Sequence, residues 1–135
     1  MADLPPVTEF AFPGPLRDRL VGAILTGEKT ATTGLVREWE LDDDPLPQAG
    51  QRQTVIDSAE KPVAIIEITD VQVMRLADVD LQIAFDEGEG FTSVAEWRAA
   101  HEDFWNGYMD EPGWELTDDT PVLVERFRMV ERLGT

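Results

Sequence analysis

Residues 63–76, Val-Ala-Ile-Ile-Glu-Ile-Thr-Asp-Val-Gln-Val-Met-Arg-Leu, carry apolar side chains on both faces of any strand they form. Val63, Ile65, Glu67, Thr69, Val71 and Val73 share one face, and Ala64, Ile66 and Ile68 the other. A strand on the surface of a sheet alternates apolar with polar, so two apolar faces place this one centrally or along the lining of a barrel. Glu67 and Thr69 are polar groups set into an apolar stripe. An unpaired buried carboxylate is expensive, so Glu67 is expected to face a wet cavity or a cation such as Arg126 or Arg128. A turn around 58–61 joins the long strand to another at about 52–57 as a hairpin, and the alternation over 121–132 reads as a final strand of the same barrel.

The remaining segments read mainly as helices and turns. Leu16, Leu20, Ala23 and Ile24 fall at helical spacing, so a helix starting near Pro15 is expected to stop at Gly27, the residue type suited to a left-handed cap. Just past that end lies Lys29, one of two lysines in the chain, followed by a threonine-rich strand at Thr30–Thr33 and a short helical segment at 35–40. Taken alone, Lys29 reads as a solvated cation near a helix C-terminus. A short helix over 78–85 leads to Asp86-Glu87-Gly88-Glu89-Gly90, where two glycines allow a sharp turn that presents Glu89 to a cleft. Thr92 or Ser93 then caps a helix with Trp97, His101, Phe104 and Trp105 along one stripe. The only histidine has no second histidine to form a metal pair, and Asp42-Asp43-Asp44 lacks the spacing and glycine of a calcium loop, so no metal is expected. Residues 1–9 read as an extended arm, with Phe10 beyond it lying across the core, and 109–119 as a loop folding over the cleft with Trp114.

A chain of 135 residues with 42% hydrophobic content is expected to form one domain. It has no cysteine, which excludes disulfides, thiolate metal sites and thiol nucleophiles. No apolar run approaches the ~20 residues of a membrane span, and Met-Ala-Asp-Leu-Pro-Pro lacks the basic-then-apolar order of a leader, so a soluble cytoplasmic protein is expected. The net charge of −17 bears most on partners. Proteins that track nucleic acid displace counterions with Lys and Arg, yet residues 84–119 hold eleven acidic residues and one basic residue, Arg98. A small ligand without phosphates is therefore favoured over RNA, and neither DNA nor a membrane is an expected partner.

Four stretches together resemble the ASCH domain family, relatives of the PUA-like small barrels associated with RNA. They are Gly27-x-Lys29-Thr30-x-Thr32, Pro45-Leu46-Pro47-x-x-Gly50, the strand Ala64–Val71, and Glu87-Gly88-Glu89-Gly90 followed by Trp97-Arg98-x-x-His101-x-x-Phe104. The resemblance runs from about Phe10 to Leu133. It implies a single α+β domain over residues 1–135, a small, mostly antiparallel PUA-like β-barrel crossed by helices. Similar bacterial members deacetylate acetylated cytidine, and the resemblance carries their roles onto Lys29 as base, Thr32 as nucleophile and Glu89 as proton shuttle. Thr30, Glu67, Trp97 and His101 are the expected substrate contacts, and no cofactor is implied. Residues three apart on an extended strand point to opposite faces, so Lys29 and Thr32 meet only if the chain turns between them, and Thr30 and Thr33 compete for the hydroxyl role. The alternatives are an RNA-binding module or ribonuclease, with Trp39, Trp97, Trp105 and Trp114 as stacking candidates, and a ligand-binding domain without turnover. At Gly34 the short family members carry an arginine, so this chain departs from them there.

Overall fold

The computed structural model describes residues 3–134; the first two residues of the expected arm lie outside them. A five-stranded sheet runs in the order β1-β3-β4-β5-β2. The long strand β4 (Pro62–Arg75) is central, as its two apolar faces require, with β3 (Arg52–Ile56) antiparallel on one side and β5 (Pro121–Arg132) antiparallel on the other. β2 (Ala31–Leu35) pairs antiparallel with the far edge of β5, and β1 (Val7–Thr8) adds a short parallel pairing to β3. The sheet does not close, which corrects the expected barrel. Its two ends are β1, only two residues long and so too short for a closing ladder, and β2, which runs directly into α2 (Val36–Leu41), and among the described residues the two do not pair.

Register shifts in β4 after Ile65 and after Ile68 break the simple alternation of its side chains. Ala64, Ile65, Ile66 and Ile68 are buried, whereas Val73 in the outer half is exposed. Helix α1 (Pro15–Thr26) begins on its proline and ends on Gly27 at φ 85°, as the spacing predicts. It packs Leu20, Val21 and Ile24 with Phe10, Ala64, Ile66 and Phe127 as one core. A second core joins Leu35, Val122 and Val124 to Trp97 and Trp105 of α4 (Val94–Tyr108), whose N-cap Ser93 accepts from the Glu96 amide. The expected helix over 78–85 starts later: a single 3-10 turn at Leu76–Asp78 comes first, and Asp80 accepts from the Ile83 amide to start α3 (Leu81–Asp86).

The segment around Phe10 is fixed by Arg17, which no motif or periodicity had singled out. Arg17 is fully buried, and its guanidinium donates to the carbonyls of Phe10, Ala11 and Asp57 and to Glu9 Oε1. A buried charge is tolerable only when it is this fully hydrogen-bonded. Phe10 is thereby held against Phe127, with ring centroids 5.9 Å apart. No helix among the described residues is long and apolar enough to cross a membrane.

Candidate active site

Lys29 leaves α1 by way of the Gly27 cap, and its side chain turns inward rather than into solvent, with 2% exposure. Nζ donates to the Ala31 carbonyl at 2.9 Å and to the Glu87 carbonyl at 3.3 Å, and the Phe10 ring centroid lies 5.9 Å away. The expectation of a solvated cation is corrected by the turn at 86–90, which folds over the lysine. Burial drives the ammonium below the ordinary lysine range, while the charges of Glu87, Glu89 and Glu125 pull the other way.

The carboxylate nearest Lys29 is that of Glu87, Oε1 standing 3.7 Å from Nζ. Glu87 is itself buried, and its oxygens are heavily engaged. Thr33 Oγ1 donates to Oε2 at 2.9 Å and Trp97 Nε1 donates to the same oxygen at 2.6 Å. His101 Nε2 lies 3.2 Å from Oε1, and its Nδ1 lies 2.8 Å from the Trp97 carbonyl. A carbonyl only accepts, so Nδ1 carries a proton, and one further proton lies between Nε2 and Oε1. Burial disfavours the charge on Glu87, but the bonds from His101 and Trp97 and the charge of Lys29 hold its carboxyl below the usual range.

Gly88 separates the two glutamates and cannot be replaced without strain. Its φ is 72°, and a Cβ there would stand 2.7 Å from the Lys29 backbone nitrogen. The turn thus aims Glu87 inward and Glu89 at a groove lined by Arg19, Gly22, Ala23, Thr26 and Glu28. Glu89 Oε1 is 3.9 Å from Arg19 Nη2, and burial raises its carboxyl above the usual range despite the opposing charge of Lys29. Ligand atoms of Glu87, Glu89 and His101 lie within 4.8 Å of one another, a spacing that suits a metal. The donor set fits one poorly, because Glu87 already accepts from Thr33 and Trp97 and the Lys29 amine stands in the cation's place.

The other residues singled out from the sequence divide between this cluster and places outside it. Thr33, not Thr32, binds Glu87. Thr32 is half-buried on the opposite face of β2, directly across from Glu125 of β5. Thr30 continues that ladder through its carbonyl, which accepts from the Phe127 amide. Trp97 is at 0% exposure, behind Glu87 rather than on a cleft wall, and His101 stacks on it with ring centroids 4.1 Å apart. Glu67 lies on the sheet surface between Arg52, at 3.2 Å, and Arg128, at 3.0 Å. The cationic-partner expectation for Glu67 thus holds with Arg128, while Arg126 binds Asp86 instead.

Two functional candidates escaped the sequence reading. Glu87 sits beside the glutamate that two glycines flank, and nothing local says which of the pair turns inward. Glu125 looks like one more alternating position in β5, but its Oε1 is buried and, among the described residues, has no hydrogen-bond partner. Burial pushes its carboxyl up to about 7, against the pull of Lys29.

Comparisons with known proteins agree with this architecture. The protein EF3133 of Enterococcus faecalis V583 superposes with a TM-score of 0.85 at 24% identity, over 98% of this chain and 80% of that one. An ASCH domain from Lactobacillus crispatus JV V101 gives a TM-score of 0.80 at 31% identity, over 93% of this chain and 80% of its own. A variant of ZmASCH from Zymomonas mobilis is more distant, with a TM-score of 0.56 at 10% identity over 95% of this chain and 73% of its own. No curated protein sequence matches the chain. The family model for the ASCH domain matches residues 9–131, and with the fold in agreement, the chain belongs to the ASCH domain family.

Proposed function

We propose that the protein is an amidohydrolase of an acylated, uncharged nucleoside such as an acetylated cytidine. The observation that carries this reading is the buried Lys29, whose proton affinity is lowered by desolvation while two backbone carbonyls fix its nitrogen. Desolvation brings the neutral form of the amine within reach, and in that form it gives its two N–H groups to the carbonyls and keeps a lone pair free to act as a base. Lys29 also feels the charge of Glu125, the residue directly across from Thr32, and in this reading it reaches round the strand to take the proton of the Thr32 hydroxyl as the oxygen attacks the acyl carbon. The tetrahedral adduct collapses by breaking the C–N bond, and the leaving amine takes a proton from Glu89, whose raised proton affinity suits it to carry one. Water then hydrolyses the acyl-threonine ester and returns both groups to their starting state. Glu87 and His101 act behind Lys29 as positioning residues, and Thr30 lies next to the reacting strand.

An uncharged nucleoside enters without phosphate repulsion, which favours it over RNA for a chain of net charge −17. The burial of Trp97 and Trp105 also removes two of the four tryptophans from any base-stacking surface. The test is release of cytidine from N4-acetylcytidine, followed by chromatography. Turnover by the wild type and its loss in both Lys29→Met and Thr32→Ala are expected. No turnover by the wild type, or wild-type turnover by Thr32→Ala, overturns the mechanism.

A further inference from the structure

The face of the sheet that carries Thr32 holds a second group of residues to which no role has yet been given. Glu125 stands directly across from Thr32, and Gly34 lies two residues further along β2, opposite Leu123. Strand residues two apart share a face about 7 Å apart. Gly34 is glycine for a visible reason. Trp39, carried back by α2, lays its indole over that position, and a Cβ on Gly34 would meet the ring at 2.8 Å and 3.0 Å. Trp39 is partly exposed, so part of its indole stays accessible beside the Gly34 position, one same-face residue pair from Thr32 and Glu125.

Glu125 is the anomaly on this face. It sits between Leu123 and Phe127, both buried apolar residues of β5, with Val71 across the β4 side. Unlike Glu67, it has no cation within ion-pair distance among the described residues, and its Oε1 is buried without a hydrogen-bond partner. A buried acceptor left without a donor is destabilising, and a ligand donor at that oxygen recovers the loss.

We infer that Trp39 and Glu125 form a base-reading subsite on this face of the sheet, with a planar pyrimidine-like ring lying against the indole and a ring-edge N–H group bonded to Glu125 Oε1. This rests on the nucleoside reading above and deepens it by assigning the recognition of the base. Thr32 is then next to the edge where an exocyclic acylamino group begins. A carboxyl poised near neutrality, with burial pushing it up to about 7, both accepts from and donates to an amide-like edge. Stacking on one aromatic face supplies affinity without sequence-like specificity, and the carboxyl supplies the discrimination.

The experiment measures cytidine binding by calorimetry and N4-acetylcytidine hydrolysis by chromatography for the wild type, Trp39→Leu, Glu125→Ala and Glu125→Gln, with thermal melting to confirm folding. Trp39→Leu and Glu125→Ala are each expected to weaken cytidine binding about tenfold or more and to raise KM more than they lower kcat; Glu125→Gln, which keeps an amide able to pair with the edge, falls between. Ribose alone is expected not to bind. Wild-type cytidine affinity in folded Trp39→Leu and Glu125→Ala overturns the subsite, as does a wild type that binds neither cytidine nor its acetylated form. The two readings fail separately. Cytidine binding that depends on Trp39 and Glu125 without any hydrolysis removes the hydrolase but keeps the subsite, whereas hydrolysis with an unchanged KM in both variants removes the subsite but keeps the hydrolase.

Discussion

Glu87→Ala is the most telling single substitution for the polar core. It removes at once the acceptor of Thr33 Oγ1 at 2.9 Å and Trp97 Nε1 at 2.6 Å, the partner of His101 at 3.2 Å and the carboxylate 3.7 Å from Lys29. Removing one member of a buried ion pair costs about 3–5 kcal/mol, because the other charge is left in a place that cannot solvate it. Stranding the indole N–H of a Trp97 that has no contact with water adds about 1–3 kcal/mol, and the two losses overlap because they share one cavity. A net loss of about 4 kcal/mol is expected, a large part of the 5–15 kcal/mol typical of a domain. Glu87→Gln keeps the shape, turning its carbonyl to Thr33 and Trp97 and its amide to His101, and is expected to cost about half as much. The measurement is urea unfolding followed by tryptophan fluorescence. If Glu87→Ala unfolds within about 1 kcal/mol of the wild type, the network contributes little and its role in holding Lys29 is wrong. Pairing it with Lys29→Met sharpens the test: the double variant is expected to be more stable than Glu87→Ala alone, since no buried amine is then left without its counter-charge.

Four further substitutions probe neighbouring features. Because Glu125 is pushed up to about 7 from 4.5, the folded state keeps a proton that the unfolded chain has released; wild-type stability is expected to fall between those pH values by about 2 kcal/mol relative to Glu125→Gln, and parallel pH profiles in urea refute this. Lys29 has the opposite sign of effect. With its proton affinity lowered in the fold, the unfolded chain binds the extra proton as pH approaches 10.5, so the wild type is expected to gain stability over Lys29→Met on going from neutral to alkaline pH; a constant difference counts against the burial argument. Gly88→Ala and Gly90→Ala share a positive φ, at 72° and 83°, but only the first meets backbone atoms below 3.0 Å, so Gly90→Ala is expected to cost about 1–2 kcal/mol by thermal melting and Gly88→Ala at least twice that.

How far the chain could be read before folding depended on whether a feature was local. Pro15, the apolar spacing behind it and Gly27 define α1 within a dozen residues, and the structure adds only the cap geometry. The centrality of β4 was likewise legible, because two apolar faces are a property of the strand itself. Its register shifts were not, since a bulge is decided jointly with β5. Closure into a barrel failed for a similar reason: alternation specifies strands, while pairing between the ends depends on whether β1 and β2 offer free ladders to each other. In the site, the glycines around Glu89 correctly located a sharp turn, but the inward role of Glu87 depends on Trp97 and His101 ten and fourteen residues later, and on Thr33 more than fifty residues earlier. Glu125 was the least legible of all. It becomes unusual only when the register sets it across from Thr32, over ninety residues away in the chain.

The position of β5 also has a bearing on how the protein is made. The last strand in the chain is second from the edge of the sheet, and β2 joins the sheet only by pairing with it. While residues 121–132 are still within the ribosome, the strand carrying Thr32 has no ladder to bind to, however long ago it emerged. The stretch around Thr32 therefore waits for residues 121–132 before it has a scaffold, and any fragment that stops short of that strand leaves β2 without its ladder partner. Placement of residues 31–35 in the sheet is thus decided by residues 121–132, about ninety positions later in the chain.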